Sequence, residues 1–221
     1  MSGTYKLGRR WALWQLAATG AAAGAMILTP GVTMAQQPPR LMLLGDSLMA
    51  GYGLDSDEGF AAQLHARLAE NGYDVSIINA SVSGDTSGAG AARVDRALAQ
   101  IPDLVLIGFG GNDMLQGLPP DRLRQNLREI IGEFQDRGIP VLLLGMLASP
   151  WLGDRYVEEF NSVYPDLADE FGVPLYPFFL DGVALDAALN QGDRIHPNAR
   201  GVAVIVDRIL PAVQTLIDGD L

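Results

Sequence analysis

The chain has no cysteine, only two histidines (His65 and His196) and one lysine, Lys6, in 221 residues. Without thiols there are no disulfides, no thiolate nucleophile and no Cys-ligated metal, so an oxidising compartment would leave no covalent mark on the fold. Two histidines restrict the choice of a neutral-pH base to two positions. Cations are scarce too: 15 basic residues face 26 acidic ones, a net charge of −11. A surface this acidic argues against nucleic acid and anionic membrane as direct partners.

The one long apolar stretch, Trp11 to Leu28, follows Lys6, Arg9 and Arg10 and precedes the small-residue end Thr33-Met34-Ala35. Charged start, short apolar middle and small-residue end define a secretory signal, so residues 1–35 are expected to be a signal peptide cleaved after Ala35. An uncleaved anchor is the competing reading, since about 18 apolar residues just span a bilayer. Gln15, Thr19, Gly20 and Gly24 weaken it. Arg9-Arg10 leaves twin-arginine export open beside general secretion. The expected product is periplasmic or secreted, with no stable membrane insertion after cleavage. Cleavage removes three basic residues and no acidic one, which takes the net charge from −11 to −14 and leaves arginine as the only strong cation. The remaining 36–221 suit one domain that buries roughly 70% of its unfolded-chain surface.

Within that domain, short apolar runs alternate with helical patterns. The runs are 41–45, the stretch around Val75, Ile77 and Ile78, then 103–110, 140–146 and 173–177. Helices are expected over 58–71, 89–100, from Pro119-Pro120 to Gly138, 154–171 and 198–217, with Leu123, Leu127, Ile130, Ile131 and Phe134 at three- and four-residue spacing. Strand–helix alternation calls for right-handed crossovers and a parallel sheet covered on both faces. In such sheets ligands bind beyond the carboxyl ends of the strands.

Polar clusters stand at those ends: Gly45-Asp46-Ser47, the turn-rich 81–88, and Gly111-Asn112-Asp113. A fourth, 192–198, precedes the last helix, where Pro197 suits the first helical position. Ser47 is the candidate nucleophile, and a serine needs a base. His65, mid-helix between Leu64 and Ala66, reads as an ordinary helical histidine. His196 has Asp193 three residues before it, close enough to hold one ring nitrogen while the other faces a serine. Capping and turn formation alone would also account for a G-D-x-x-H-P-N segment. The oxyanion formed by attack on an ester needs donors: the N–H of Ser47, the N–H of Gly84 and the side-chain amide of Asn112 are the candidates, although Gly84 and Asn112 could simply turn the chain.

G-D-S-L at 45–48, Gly84 within S-G-D-T-S, G-G-N-D at 110–113 and D-x-x-H-P at 193–197 resemble, in order and separation, the four blocks of the SGNH, or GDSL, hydrolases. The stretches N-A-S-V-S-G-D-T-S, G-G-N-D-M-L-Q-G-L and V-P-L-Y-P-F-F-L are similar to the bacterial periplasmic arylesterase and acyl-CoA thioesterase branch, which includes lysophospholipase activity. The resemblance implies a three-layer α/β/α sandwich with a flavodoxin-like, five-stranded parallel sheet of order 2-1-3-4-5. It also implies Ser47 as nucleophile, His196 as base, Asp193 as orienting acid and Gly84 and Asn112 as oxyanion donors. The G-x-S-x-G elbow of α/β-hydrolases is absent. Asp46 could suggest a phosphoryl-accepting aspartate, but Asp55 and Asp57 lie in a glycine-rich loop without the adjacent D-x-D spacing, so Asp46 is expected to bond backbone at the rim and no metal is expected.

The resulting expectation is an esterase without cofactor, acting as a monomer on small acyl esters or thioesters. Met114, Leu115 and Leu118 follow the Asn112 block, and Leu147, Pro150, Trp151 and Leu152 follow the fourth strand. These two loops could line an apolar trough beside Ser47 or could be plain packing anchors. Gly111 and Gly117 bracket the first loop, which makes it a candidate flap. A carbohydrate O-deacetylase and a non-catalytic lipid- or glycan-binding module are the alternative functions.

Overall fold

The computed structural model describes residues 37–220. The expected signal segment and its expected cleavage site after Ala35 lie outside them. Five strands, β1 (Arg40–Gly45), β2 (Ser76–Asn79), β3 (Leu104–Gly108), β4 (Val141–Leu144) and β5 (Leu175–Tyr176), form one parallel sheet in the order 2-1-3-4-5. Leu41 to Leu44 and Val105 to Ile107 have no exposed surface. Such continuous apolar runs belong to strands covered on both faces.

The crossovers explain the layers. The chain moves outward from β1 to β2 through α1 (Ser47–Ala50) and α2 (Phe60–Glu70). It then returns past β1 to β3 through α3 (Ser87–Ala91) and α4 (Val94–Leu98). From there it continues to β4 and β5 through α5 (Gly111–Leu115), α6 (Pro120–Gln135) and α7 (Asp154–Phe171). Right-handed crossovers in opposite directions place helices on opposite faces. Accordingly α2 packs with the final helix, α8 (Ala199–Asp218), while α6 packs with α3 and α7. The apolar stripe of α8, Val202, Ile205, Val206, Ile209, Val213 and Leu216, is buried at helical spacing.

The reversal of direction falls between β1 and β3, whose ends lie side by side with Gly45 opposite Gly108. A crevice opens at such a switch point, and Ser47 stands there. One expected helix, 89–100, divides into α3 and α4 because Arg93 leaves helical geometry (φ −122, ψ 11). Its guanidinium is drawn aside to Asp85 and to the carbonyls of Ala80 and Gly45. Pro165 lies inside α7 without ending it, and the buried Val163, Tyr164 and Leu167 hold that helix on the sheet.

Candidate active site

Behind β1 the chain turns at once into α1, with Asp46 as its N-cap: the carboxylate Oδ1 accepts from the Leu48 N–H at 3.0 Å. This matches the expected backbone role, and it makes Ser47 the first residue of the helix. Helix starts leave N–H groups free. Among the described residues the Ser47 N–H has no hydrogen-bond partner.

His196 arrives from the loop before α8. Asn198 caps α8 by accepting from the N–H groups of Arg200 and Gly201, so the helix begins at Ala199. Pro197 therefore lies ahead of the cap and not at the first helical position; it bridges to Asn190 instead. The His196 Nε2 is 2.9 Å from Ser47 Oγ, across 149 residues of chain. On the other side, Nδ1 is 2.6 Å from Asp193 Oδ2. The second carboxylate oxygen of Asp193 accepts from the N–H groups of Ile195 and His196, at 2.9 and 3.0 Å. These bonds, that to the imidazole foremost, bring the Asp193 carboxyl down to about 2. It therefore stays ionised at any working pH and fixes the ring so that Nε2 faces the hydroxyl. The other histidine, His65, is exposed on α2.

The three anticipated oxyanion donors follow three neighbouring strand ends, those of β1, β2 and β3. Gly84 has φ +89, a conformation that side chains rarely adopt, and its N–H has no partner among the described residues. The Asn112 side-chain amide donates to the Asp85 carbonyl at 2.9 Å and lies 3.4 Å from Asp46 Oδ2, which holds it against the Gly84 loop.

What sequence reasoning missed is the framework under these donors. Asp113 and Ser87 are buried, and Asp113 accepts from the Ser87 N–H at 2.8 Å and from its hydroxyl at 2.5 Å. Asn126 donates to the same hydroxyl at 2.9 Å. The Asn112 turn and the segment after Gly84 are thereby pinned together. Arg93 pins the other side of that loop through Asp85, at 2.6 Å. The partners are 26, 39 and 8 residues apart, and only the fold brings them into register.

Asp46 is the electrostatic counterpart of Asp193. Burial raises its carboxyl from 3.8 to about 6, with the Leu48 N–H and His196 opposing the rise. The space behind it, lined by Met49, Phe109, Leu144, Met146 and Phe179, measures about 10 Å³, room for one water at most. An acyl chain does not fit there.

The residues expected to form a trough belong to the loops after β3 and β4. Met114 is half-buried, and its sulfur accepts from the Ser149 N–H at 3.2 Å, so the two loops touch. Tyr156 Oη donates to the Leu118 carbonyl at 2.9 Å. Leu115 and Leu147 are exposed, and Trp151 is 96% exposed. No group of three or more His, Asp or Glu among the described residues could hold a metal ion.

A parallel sheet with a serine at its switch point, an imidazole on the hydroxyl and a carboxylate on the imidazole defines a serine-hydrolase class of site. The chain belongs to the GDSL-like lipase/acylhydrolase family, whose model matches residues 43–204, and it is an ester-bond hydrolase of that family. It is 42% identical to Esterase TesA of Pseudomonas aeruginosa over 80% of this chain and 89% of that protein. The crystal structure of TesA superposes with a TM-score of 0.76, covering 80% of this chain and 99% of the other. An arylesterase of Vibrio mimicus is 41% identical over 73% of this chain and 82% of its own length. Thioesterase 1/protease 1/lysophospholipase L1 of Escherichia coli is 39% identical over 81% and 86%.

Proposed function

We propose that the enzyme hydrolyses aryl and short- to medium-chain acyl esters, and with them acyl thioesters or lysophospholipids, through an acyl-enzyme on Ser47. The observation that carries this reading is the continuous hydrogen-bonded line from Ser47 Oγ through both ring nitrogens of His196 to Asp193, at 2.9 and 2.6 Å. Ser47 Oγ attacks the carbonyl carbon as its proton passes to His196 Nε2. The oxyanion is received by the N–H groups of Ser47 and Gly84 and the amide of Asn112. Collapse breaks the bond to the leaving alcohol, phenol or thiol, which takes the proton from Nε2. Water then attacks the acyl-enzyme with His196 as base, releasing the acid and restoring Ser47. No step calls on a cofactor.

The substrate range is supported by the activities named for the relatives and by the apolar loops that meet at Met114 and Ser149. The expectation of export rests on the sequence of residues 1–35, and N-terminal sequencing of the periplasmic product should find Gln36 first. A fluorophosphonate probe should label Ser47, and Ser47→Ala should abolish both labelling and ester hydrolysis. Full activity in Ser47→Ala would end this reading. Acetylated xylan run beside p-nitrophenyl acetate and octanoate tests the deacetylase alternative.

A further inference from the structure

Tyr52 presents a large aromatic ring that is 53% exposed and whose hydroxyl makes no hydrogen bond among the described residues. Exposed aromatics on a free loop need no explanation, but this one is rigidly mounted. Its backbone N–H donates to the carbonyl of Ser47 at 3.2 Å. Its carbonyl accepts from Gln191 Nε2 at 2.8 Å. The same Gln191 donates its backbone N–H to the carbonyl of His196 at 2.8 Å and its side chain to Pro197 at 2.9 Å. Tyr52 is thus fastened at one end to the serine and at the other to the histidine loop. Its ring lies 4.6 Å from the His196 ring, centroid to centroid, tilted by 40°.

His196 Nε2 must hand its proton to the departing oxygen or sulfur, so the leaving group occupies the space next to that nitrogen. A half-exposed ring held beside the imidazole offers a flat apolar surface next to that space. Resting on the hydrolytic reading above, we propose that Tyr52 is the leaving-group platform, a specificity residue on which the ring of a phenyl or other aryl leaving group packs during acylation. The acyl group, which stays on Ser47 after the leaving group departs, is not the part of the substrate assigned to this ring.

The test compares kcat/KM for phenyl butyrate and ethyl butyrate in the wild type, Tyr52→Leu and Tyr52→Phe. Both esters form the same butyryl-enzyme. Tyr52→Leu should lower the phenyl-to-ethyl ratio about three- to tenfold, the size of an aromatic pair. Tyr52→Phe should keep it. In stopped-flow with p-nitrophenyl butyrate the steady phase after the burst follows butyryl-enzyme breakdown, from which the leaving group has gone, and this step should slow less than acylation by the phenyl ester. Equal losses on both esters, or a matching loss in breakdown, would mean that the ring acts through His196 and would overturn the platform. An unchanged ratio would do the same. Product inhibition of the wild type needs no variant: phenol should compete at lower concentration than cyclohexanol, and equal potency counts against the proposal. Fluorophosphonate labelling of Ser47 in every sample separates the two levels, since labelled protein with an unaltered ratio overturns only the platform, whereas wild type that fails to label sinks the parent reading as well.

Discussion

Two aspartates flank the same serine, and their surroundings push them in opposite directions. Asp46 is walled in by Met49, Phe109 and Leu144, and burial raises it to about 6. Asp193 sits in a loop with its side chain 38% exposed, and its bond to His196 together with two backbone N–H groups takes it down to about 2. Sequence proximity to the nucleophile is therefore a poor guide to chemistry. The neighbour one residue away is a partly suppressed charge that caps a helix. The residue 146 positions away in the chain is the dependable anion. What separates the two is the number of hydrogen bonds made to the charged form against the water lost in making them.

The largest consequence lies at Asp193. Asp193→Asn removes the anion that steadies the imidazolium and leaves the loop's backbone bonds an oxygen to use. Turnover should fall about 10⁴-fold while the far-ultraviolet dichroism and melting profile stay near those of the wild type. An unaltered turnover number would take Asp193 out of the proposed triad and dissolve the contrast with Asp46.

At Asp46 the expected effect is on stability. A carboxyl that titrates at about 6 when folded and near 3.8 when unfolded keeps its proton in the native state across that window. The folded form then binds more protons than the unfolded one, so stability is highest below the lower value and declines as pH rises through the upper one. A difference of this size corresponds to about 3 kcal/mol. Asp193 works the other way: its contribution is lost as pH falls toward 2, in a window that does not overlap that of Asp46. Urea unfolding of wild type and Asp46→Asn at pH 4.5 and 7 should therefore show the variant gaining on the wild type as pH rises. Parallel behaviour of the two proteins would mean that Asp46 is ionised in both states.

The contrast also marks what could be read from the chain. Ser47, Gly84 and Asn112 each sit in a short polar cluster after an apolar run, and runs ending on one rim place such clusters near one another, whereas Asp193 and His196 sit in a cluster before the last helix and were paired by their three-residue spacing. Strand order 2-1-3-4-5 followed from the family likeness, and the alternation of strands and helices is consistent with it. The helices α1 and α5 were not foreseen, since four or five residues are too few to display a period. Arg93 broke an expected helix for partners, Asp85, Ala80 and Gly45, that no local pattern announces. The pairing of Asp113 with Ser87 and the tilted contact of Tyr52 with His196 depend on three-dimensional neighbours alone.

The loops after β3 and β4 carry the smallest expected effect. Leu118 and Trp151 stand on loops that touch through Met114 and Ser149, and Trp151, at 96% exposed, makes almost no use of its ring in the free enzyme. An indole left in water gains most when it covers a long apolar chain and least when the acyl group is acetate. Leu118→Ser and Trp151→Ala should each reduce kcat/KM for p-nitrophenyl octanoate by several-fold, about 1 kcal/mol of lost apolar contact, and that for p-nitrophenyl acetate by much less. Graded p-nitrophenyl esters measure this directly. Equal losses along the series would assign both residues to loop packing and leave the acyl chain without a partner on these two loops.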